Sequence, residues 1–334
     1  MATNTNYNRE TTAQEVVDAF ANEIKGKTVV VTGPSPGGIG YETARAIATR
    51  APKLLILAGR DMKKLEAAKA DILKDTPSAN LALVTLDLNS LASVRSGAKA
   101  IAAAAPQLDV LINNAAIMMC PYGTTEDGFE TQFGTNYMAP WLLNNLLIPN
   151  LLASPAPRVV LVSSVGHRVS DILWDDMGFS GGKTYNKFMS YGQSKTASVL
   201  NGVALAEKYP KLTVISLHPG AIHTNLARHL TEEDMKGMVG QFFNEDGTPK
   251  PGVFFKSIPK GASTTLVAAF DPALKTHSGT YLTDCQIAKV KPTGADPHLN
   301  ISESDFVAPY AVDKAAAERL WGVTEEMVGE KFSP

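Results

Sequence analysis

Thr32-Gly33-Pro34-Ser35-Pro36-Gly37-Gly38-Ile39-Gly40 stands between an apolar run, Val29-Val30-Val31, and a stretch that reads as a helix, Tyr41-Glu42-Thr43-Ala44-Arg45-Ala46-Ile47-Ala48. A buried strand, a glycine-rich turn and a helix start make the first half of a dinucleotide-binding βαβ unit. Glycine lets the backbone turn tightly and approach a pyrophosphate, and the helix N-terminus offers it unpaired N–H groups. Taken alone, such a turn also serves as an ordinary strand-to-helix connection. The pattern of the chain downstream of Gly40 decides between the two.

From Lys27 onward, short β-rich runs alternate with helical stretches. The strand candidates are Thr28–Val31, Leu54–Ala58, Ala82–Leu86, Val110–Asn113, Val159–Ser163, Thr213–Leu217 and Thr280–Leu282. Between them, Gly40–Arg50, Lys63–Lys74, Leu91–Ala104, Gly128–Leu152, Ser190–Lys208 and Gly261–Phe270 read as helices. This alternation predicts an α/β fold, a doubly wound parallel sheet (Rossmann) with helices on both faces. The strands are near-continuous apolar runs, as a sheet covered on both faces requires. No internal repeat or low-complexity linker divides the chain, so residues 27–334 are expected to form one domain, preceded by an extension over 1–26. Within the extension the first ten residues read as disordered, and Thr12-Ala13-Gln14-Glu15 has capping-box spacing, predicting a short helix to about Phe20. Insertions at about 165–189 and 227–260 and a tail from about 286, with a helical stretch Val312–Leu320, interrupt the pattern. Such insertions usually serve as lids or packing elements.

Composition narrows the function. With 44% hydrophobic residues the chain can fill a full core, and a net charge of −2 with no basic run gives no basis for a nucleic-acid or membrane surface. No stretch has the apolar length of a membrane span, and Met1 to Glu10 lacks the apolar core of a signal peptide. Cys120 and Cys285 are the only cysteines and lie far apart, which fits a reducing compartment, so a cytoplasmic location is expected. His218, His223 and His229 match no common zinc spacing, and neither a metal nor a Ser-His-Asp triad is expected.

Leu57-Ala58-Gly59-Arg60-Asp61 ends the second strand. An acidic residue there suits the ribose hydroxyls of NAD, whereas an arginine suits a 2′-phosphate. Asp61 reads more naturally as a helix N-cap, and Arg60 therefore points to NADP(H). Asp87-Leu88, after the third strand, is placed to border the adenine, and Asn113-Asn114-Ala115-Ala116 ends the fourth strand beneath the cofactor. Ser190-Tyr191-Gly192-Gln193-Ser194-Lys195 sets Tyr191 and Lys195 at i and i+4, on one helix face. A tyrosine titrates at about 10, and a neighbouring ammonium is expected to lower that value. Upstream, Val159-Val160-Leu161-Val162-Ser163-Ser164 ends a strand in two serines, either of which can hydrogen-bond a substrate carbonyl beside the phenol.

With these residues in this order, the chain resembles the short-chain dehydrogenase/reductase family over roughly Lys27 to Thr283. The glycine-rich turn, Asn113-Asn114-Ala115-Ala116, Ser163-Ser164, Tyr191-x-x-x-Lys195 and Pro219-Gly220-Ala221-Ile222-His223-Thr224 carry the resemblance. Phe133-Gly134-Thr135-Asn136-Tyr137 and Leu217-His218-Pro219-Gly220 look most like its retinol-dehydrogenase-like and WW-domain-oxidoreductase-like branch. Gly279–Gln286 and the N-terminal extension look like fungal members. The resemblance implies Tyr191 as acid/base, Lys195 binding the nicotinamide ribose and lowering the phenol's pKa, Ser164 polarising the carbonyl and Asn136 holding a water that relays protons to Lys195. It also implies cofactor contacts at Gly33, Ser35, Gly37, Gly38, Ile39, Gly40, Arg60, Asp87, Leu88, Asn114, Ile222 and Thr224.

The chain departs from the family pattern in two places. Four residues separate Gly33 from Gly38-Ile39-Gly40 where the family has three, and Pro34 and Pro36 lack N–H groups. Phosphate binding is then expected to fall on Ser35, Gly37, Gly38 and Ile39. Ala116 replaces a glycine, so a methyl group is expected to crowd the cofactor slightly. Met118, Met119 and Cys120 are expected to line a pocket beside the nicotinamide. Trp174, Phe179, Phe242, Phe243, Phe254 and Phe255 either pack under lids or line an apolar substrate cavity. The implied activity is carbonyl–alcohol interconversion on a hydrophobic small molecule, placed by the fungal likeness in secondary metabolism. Two rival readings are an NADP(H)-binding sensor or scaffold, and a cyclase or isomerase with a structural cofactor. The family commonly pairs through the helices read at Gly128–Leu152 and Ser190–Lys208, so a homodimer or homotetramer is implied unless the tail covers them.

Overall fold

The computed structural model describes residues 4, 6–234, 244, 246, 248, 255–291 and 305–333. Its strands are β1 Thr28–Thr32, β2 Leu54–Gly59, β3 Leu81–Thr85, β4 Val110–Asn113, β5 Arg158–Val162, β6 Thr213–His218, β7 Tyr281–Thr283 and β8 Gln286–Ile287. They form one sheet in the order β3-β2-β1-β4-β5-β6-β7-β8, parallel except for the β7–β8 hairpin. Strand order reverses between β1 and β4, and in such sheets a ligand binds in the crevice outside the carboxyl ends at that point.

The helices are α1 Ala13–Ala19, α2 Ala21–Ile24, α3 Ile39–Ala48, α4 Met62–Asp75, α5 Leu91–Ala104, α6 Thr131–Phe133, α7 Ala139–Leu152, α8 Lys187–Lys208, α9 Ile258–Phe270 and α10 Lys314–Val328. Alternate strand residues face opposite cores. Val30, Ile56, Leu111 and Val159 pack with α5, α7, α8 and α10. Val29, Val31, Leu57, Val160 and Ile215 pack with α1, α3, α4 and α9 on the other face. The strand centres are thus largely apolar because each face has its own helical cover.

Several expectations change. Asn6–Glu10 is ordered against the domain: Gln286 donates to the Tyr7 carbonyl at 2.7 Å, Glu10 pairs with Lys260, and Tyr7 meets Phe20 edge-on. The capping box at Thr12 and Glu15 is present, and α1 ends at Ala19. The helix read from Gly128 starts only at Thr131, because Gly128 is left-handed (φ +86°) and the Glu130 carboxylate accepts from the Gln132 and Phe133 N–H groups. It then widens into a π-turn over Gly134–Met138 before α7 begins. The tail helix starts two residues later than expected and runs on to Val328, capped by Asp313 and closed by left-handed Gly329. The tail also contributes β9 Lys289–Val290 and β10 Phe306–Val307, a short parallel pair. Of the aromatics assigned to the second insertion, Phe242, Phe243 and Phe254 lie outside the described residues.

Candidate active site

At the end of β1 the chain turns through left-handed Gly33 (φ +65°), where a Cβ would stand 2.8 Å from the Ala115 Cβ. The Asn114 side chain braces this turn, donating to the Thr32 carbonyl at 2.9 Å and the Gly33 carbonyl at 3.3 Å. Gly40 lies against the same amide, and a Cβ there would run into it. Gly40→Ala is therefore expected to cost about 1–3 kcal/mol by overpacking and to weaken dinucleotide binding together with it. Denaturant unfolding and a nucleotide titration of the variant check this.

The loop spends two of its expected phosphate donors on itself. Ser35 N–H donates to the Gly33 carbonyl at 2.9 Å and Gly38 N–H to the Ser35 carbonyl at 3.0 Å. Gly37, Ile39 and Gly40 are the N–H groups left to offer, the last two in the first turn of α3. Arg60 is exposed at the end of β2 with no ion-pair partner among the described residues, while Asp61 caps α4 through the Lys64 N–H at 3.2 Å. Asp87 is half-buried and accepts from Asn89 N–H, and Leu88 is buried in the core with Val94 of α5. Past β6, Ile222 and Ile39 both reach the Gly261 position of α9, and Thr224 caps the turn Asn225–His229.

Tyr191 and Lys195 project from α8, which Asn186 caps through the Phe188 and Met189 N–H groups. The tyrosine ring lies against Gly166, where a Cβ would stand 2.8 Å from Tyr191 Cε1. The two serines part company here: Ser163 Oγ donates to the Lys195 carbonyl at 2.8 Å, whereas Ser164 Oγ accepts from Gly166 N–H at 3.0 Å and lies on the tyrosine's side, both it and Tyr191 Cε1 bordering the position a Gly166 Cβ would take, at 3.4 and 2.8 Å. Lys195 Nζ donates to the Val162 carbonyl at 3.0 Å and sits 5.7 Å from the Tyr191 ring centre. Asn136, in the π-turn, grips both backbone groups of Ile117 at 2.9 Å and donates to Ser194 Oγ at 3.0 Å. A small cavity lined by Asn113, Asn136, Val162, Ser198 and Asn201 lies behind it.

The expected lowering of the phenol's pKa is not found. Burial pushes Tyr191 up to about 12, the nearby Ser164 hydroxyl opposing this, and pushes Lys195 down to about 7. The same loss of water acts on both groups and disfavours the charged form of each.

The residue order that decides the family spans most of the chain. A model of the short chain dehydrogenases matches residues 27–235. This chain belongs to the short-chain dehydrogenase/reductase family. It falls in the retinol-dehydrogenase-like branch: it is 37% identical over 313 residues to the short-chain dehydrogenase/reductase prx1 of Penicillium roqueforti, covering 92% of this chain and 86% of that one. It is 36% identical over 312 residues to human retinol dehydrogenase 12, covering 93% and 89%. Among solved structures, a protein of uncharacterised function from Mycobacterium paratuberculosis superposes with a TM-score of 0.68 at 29% identity, covering 93% of this chain and 96% of that one. An NADPH-bound carbonyl reductase from chicken fatty liver shares the fold at a TM-score of 0.55 and 21% identity, over 78% of this chain and 97% of its own.

In this short-chain dehydrogenase a cleft of about 400 Å³ is lined by Met119, Pro121, Tyr122, Tyr185, Lys187, Phe188 and His229, among others. Met119 lines it, whereas Cys120 is buried and gives its carbonyl to the Tyr185 hydroxyl at 2.8 Å. Trp174 packs on the core under the Arg319 guanidinium, Phe179 is buried against Tyr185, and Phe255 stacks on His223. None of these three aromatics lines the cleft.

Sequence reading passed over Gln132 and His167, and weighed His218 only as a metal or triad candidate and as part of a family motif. Gln132 is fully buried, accepts from Met119 N–H at 2.7 Å and donates to Tyr185, Lys187 and Ser190, fixing the cleft's wall to α8. A glutamine at a helix start carries no sequence signal for that role, and the buried polar contacts that define it exist only after folding.

Proposed function

We propose that this oxidoreductase interconverts a carbonyl and an alcohol on a largely apolar small molecule, using NADP(H) in the cytoplasm. The observation that carries the reading is the Ser164–Tyr191 pair at the crevice mouth, with Lys195 buried one helical turn below the phenol. The turn at Gly33–Gly40 and the start of α3 fit a pyrophosphate, and Arg60, exposed and unpaired among the described residues, fits a 2′-phosphate. When bound, the nicotinamide supplies or accepts the hydride. Ser164 would hold the substrate's oxygen beside the phenol, and Tyr191, kept protonated by its burial, would give that oxygen its proton in reduction. Lys195 would orient the ribose, and the cavity behind Asn136 has room for the water that would return a proton to the lysine. Two unbridged, buried cysteines suit a reducing compartment.

The cleft lined by Met119, Tyr122, Tyr185 and Phe188 supports an apolar substrate body, and Lys187 with His229 makes its rim polar. A panel of hydrophobic ketones, aldehydes and secondary alcohols, with NADPH and NADH in parallel, tests the reading by loss or gain of nicotinamide absorbance. Turnover of none of them sinks it. Arg60→Ala is expected to raise KM for NADPH about tenfold to a hundredfold and leave NADH unchanged, the loss of one charge-assisted contact of about 1.5–3 kcal/mol. An unchanged preference would remove Arg60 from the phosphate site.

A further inference from the structure

The peptide bond that joins Ser164 to Val165 is gripped at both ends by imidazoles. Its carbonyl oxygen lies 2.7 Å from His167 Nδ1, and its N–H, that of Val165, donates to His218 Nδ1 at 3.1 Å. Both rings are buried, and burial pushes each down to about 3, so both are neutral around pH 7. A neutral imidazole carries one proton, and the partner at one nitrogen settles where it sits. Ala308 N–H donates to His167 Nε2 at 3.1 Å, so that nitrogen is bare and the proton is on Nδ1, facing the Ser164 carbonyl. Tyr281 Oη, 3.3 Å from the same Nδ1, is a second acceptor. His218 has the opposite tautomer, since its Nδ1 must accept.

The outer partner of His167 comes from far along the chain. Ala308 follows β10 in the tail, and the tail is anchored around this turn. The Arg168 guanidinium donates to the Phe306 carbonyl at 2.5 Å and lies 3.5 Å over the Phe306 ring, and the Tyr310 hydroxyl donates to the His167 carbonyl at 2.9 Å. Ser164 is extended, with φ −161° and ψ 157°. Rotation about its ψ swings the peptide that the two imidazoles hold, and with it the Gly166 N–H that Ser164 Oγ accepts from.

We propose that His167 is a positioning residue of this site. Held as the Nδ1–H tautomer by the tail's Ala308 N–H, it fixes, together with His218, the Ser164–Val165 peptide plane and so the place of Ser164 Oγ against Tyr191. The C-terminal tail thereby takes part in building the site through a backbone N–H that acts on His167. The kinetic consequence rests on the oxidoreductase reading, and the structural one stands without it.

Two amide substitutions separate the ring's nitrogens. His167→Asn puts an amide N–H near the Nδ1 position and keeps a donor for Ser164. His167→Gln reaches the Nε2 position, keeps an acceptor for Ala308 and takes the donor from Ser164. In crystal structures, Ser164 Oγ is expected to leave Tyr191 in His167→Gln and to stay in His167→Asn. In carbonyl reduction, His167→Gln is expected to lose about tenfold to a hundredfold in kcat with the NADPH Kd unchanged, and His167→Asn to rescue most of that loss. In a Ser164→Ala background, His167→Gln should cost nothing further. The same Ser164 placement in both variants, equal kcat in both, or additive losses with Ser164→Ala overturns the proposal. If the wild type turns over no substrate of the panel, the oxidoreductase reading fails and the two crystal structures alone decide this one. Should the His167 variants not fold, the pair His218→Asn and His218→Gln gives the same decision, because only the first keeps an acceptor for Val165 N–H.

Discussion

Tyr191→Phe loses about 10²–10⁴-fold in kcat for any carbonyl the wild type reduces, the usual worth of a positioned general acid. The variant removes one oxygen from a ring that is 5% exposed and lies against Gly166, so the fold and the dinucleotide site have no reason to change. NADPH should bind as before, which separates lost proton transfer from lost binding. Burial holds the phenol at about 12, so in the protein without nucleotide it is an acid throughout the neutral range. It therefore suits donation to a carbonyl in reduction more readily than abstraction from an alcohol. Steady-state kinetics beside a calorimetric NADPH titration make the measurement. Full turnover in Tyr191→Phe would take the proton away from this residue and point to another acid.

Trp321→Ala should destabilise the fold by about 3–5 kcal/mol, the range for removing a large buried aromatic side chain. Trp321 is 2% exposed, lies edge-on to fully buried Trp141 of α7 with ring centres 5.1 Å apart, and carries the Lys208 ammonium over its face. Its indole N–H donates to Glu325 at 3.0 Å, and one turn on, the Thr324 hydroxyl meets the Tyr137 hydroxyl at 2.6 Å. Removing the indole opens a cavity between α7, α8 and α10 that these stiff neighbours cannot close. Denaturant unfolding of Trp321→Ala and Trp321→Phe checks it, the phenylalanine recovering a substantial part of the loss. A loss under about 1 kcal/mol in the alanine variant would mean that α10 contributes little to the core. The tail thus packs on α8 and on Trp141 of α7, the two helices through which the family resemblance implied pairing.

Both predictions depend on features of unequal legibility. The sheet could be read because its cues are local: apolar runs of strand length, separated by helical stretches and turned by glycines, force a covered parallel sheet whatever the surroundings. Tyr191 and Lys195 could be paired because a helix puts i and i+4 on one face. Asp61 could be read as a cap, and the structure has it bonded to Lys64 N–H. The boundaries at Gly128 and Leu320 moved because a buried carboxylate and a distant glycine cap, both invisible to periodicity, set the real ends.

Neighbouring residues alone set the order of strands and helices, the glycine turn at a strand end and the spacing of the tyrosine and lysine, so the chain could be read that far without its fold. Folding decided which of two adjacent serines faces the phenol, that Ser35 and Gly38 bond within their own loop, that burial and not the lysine governs the phenol's pKa, and where the tail lies. Each of those depends on groups distant in sequence that are brought within hydrogen-bonding distance or shut away from water. A linear pattern holds no record of either.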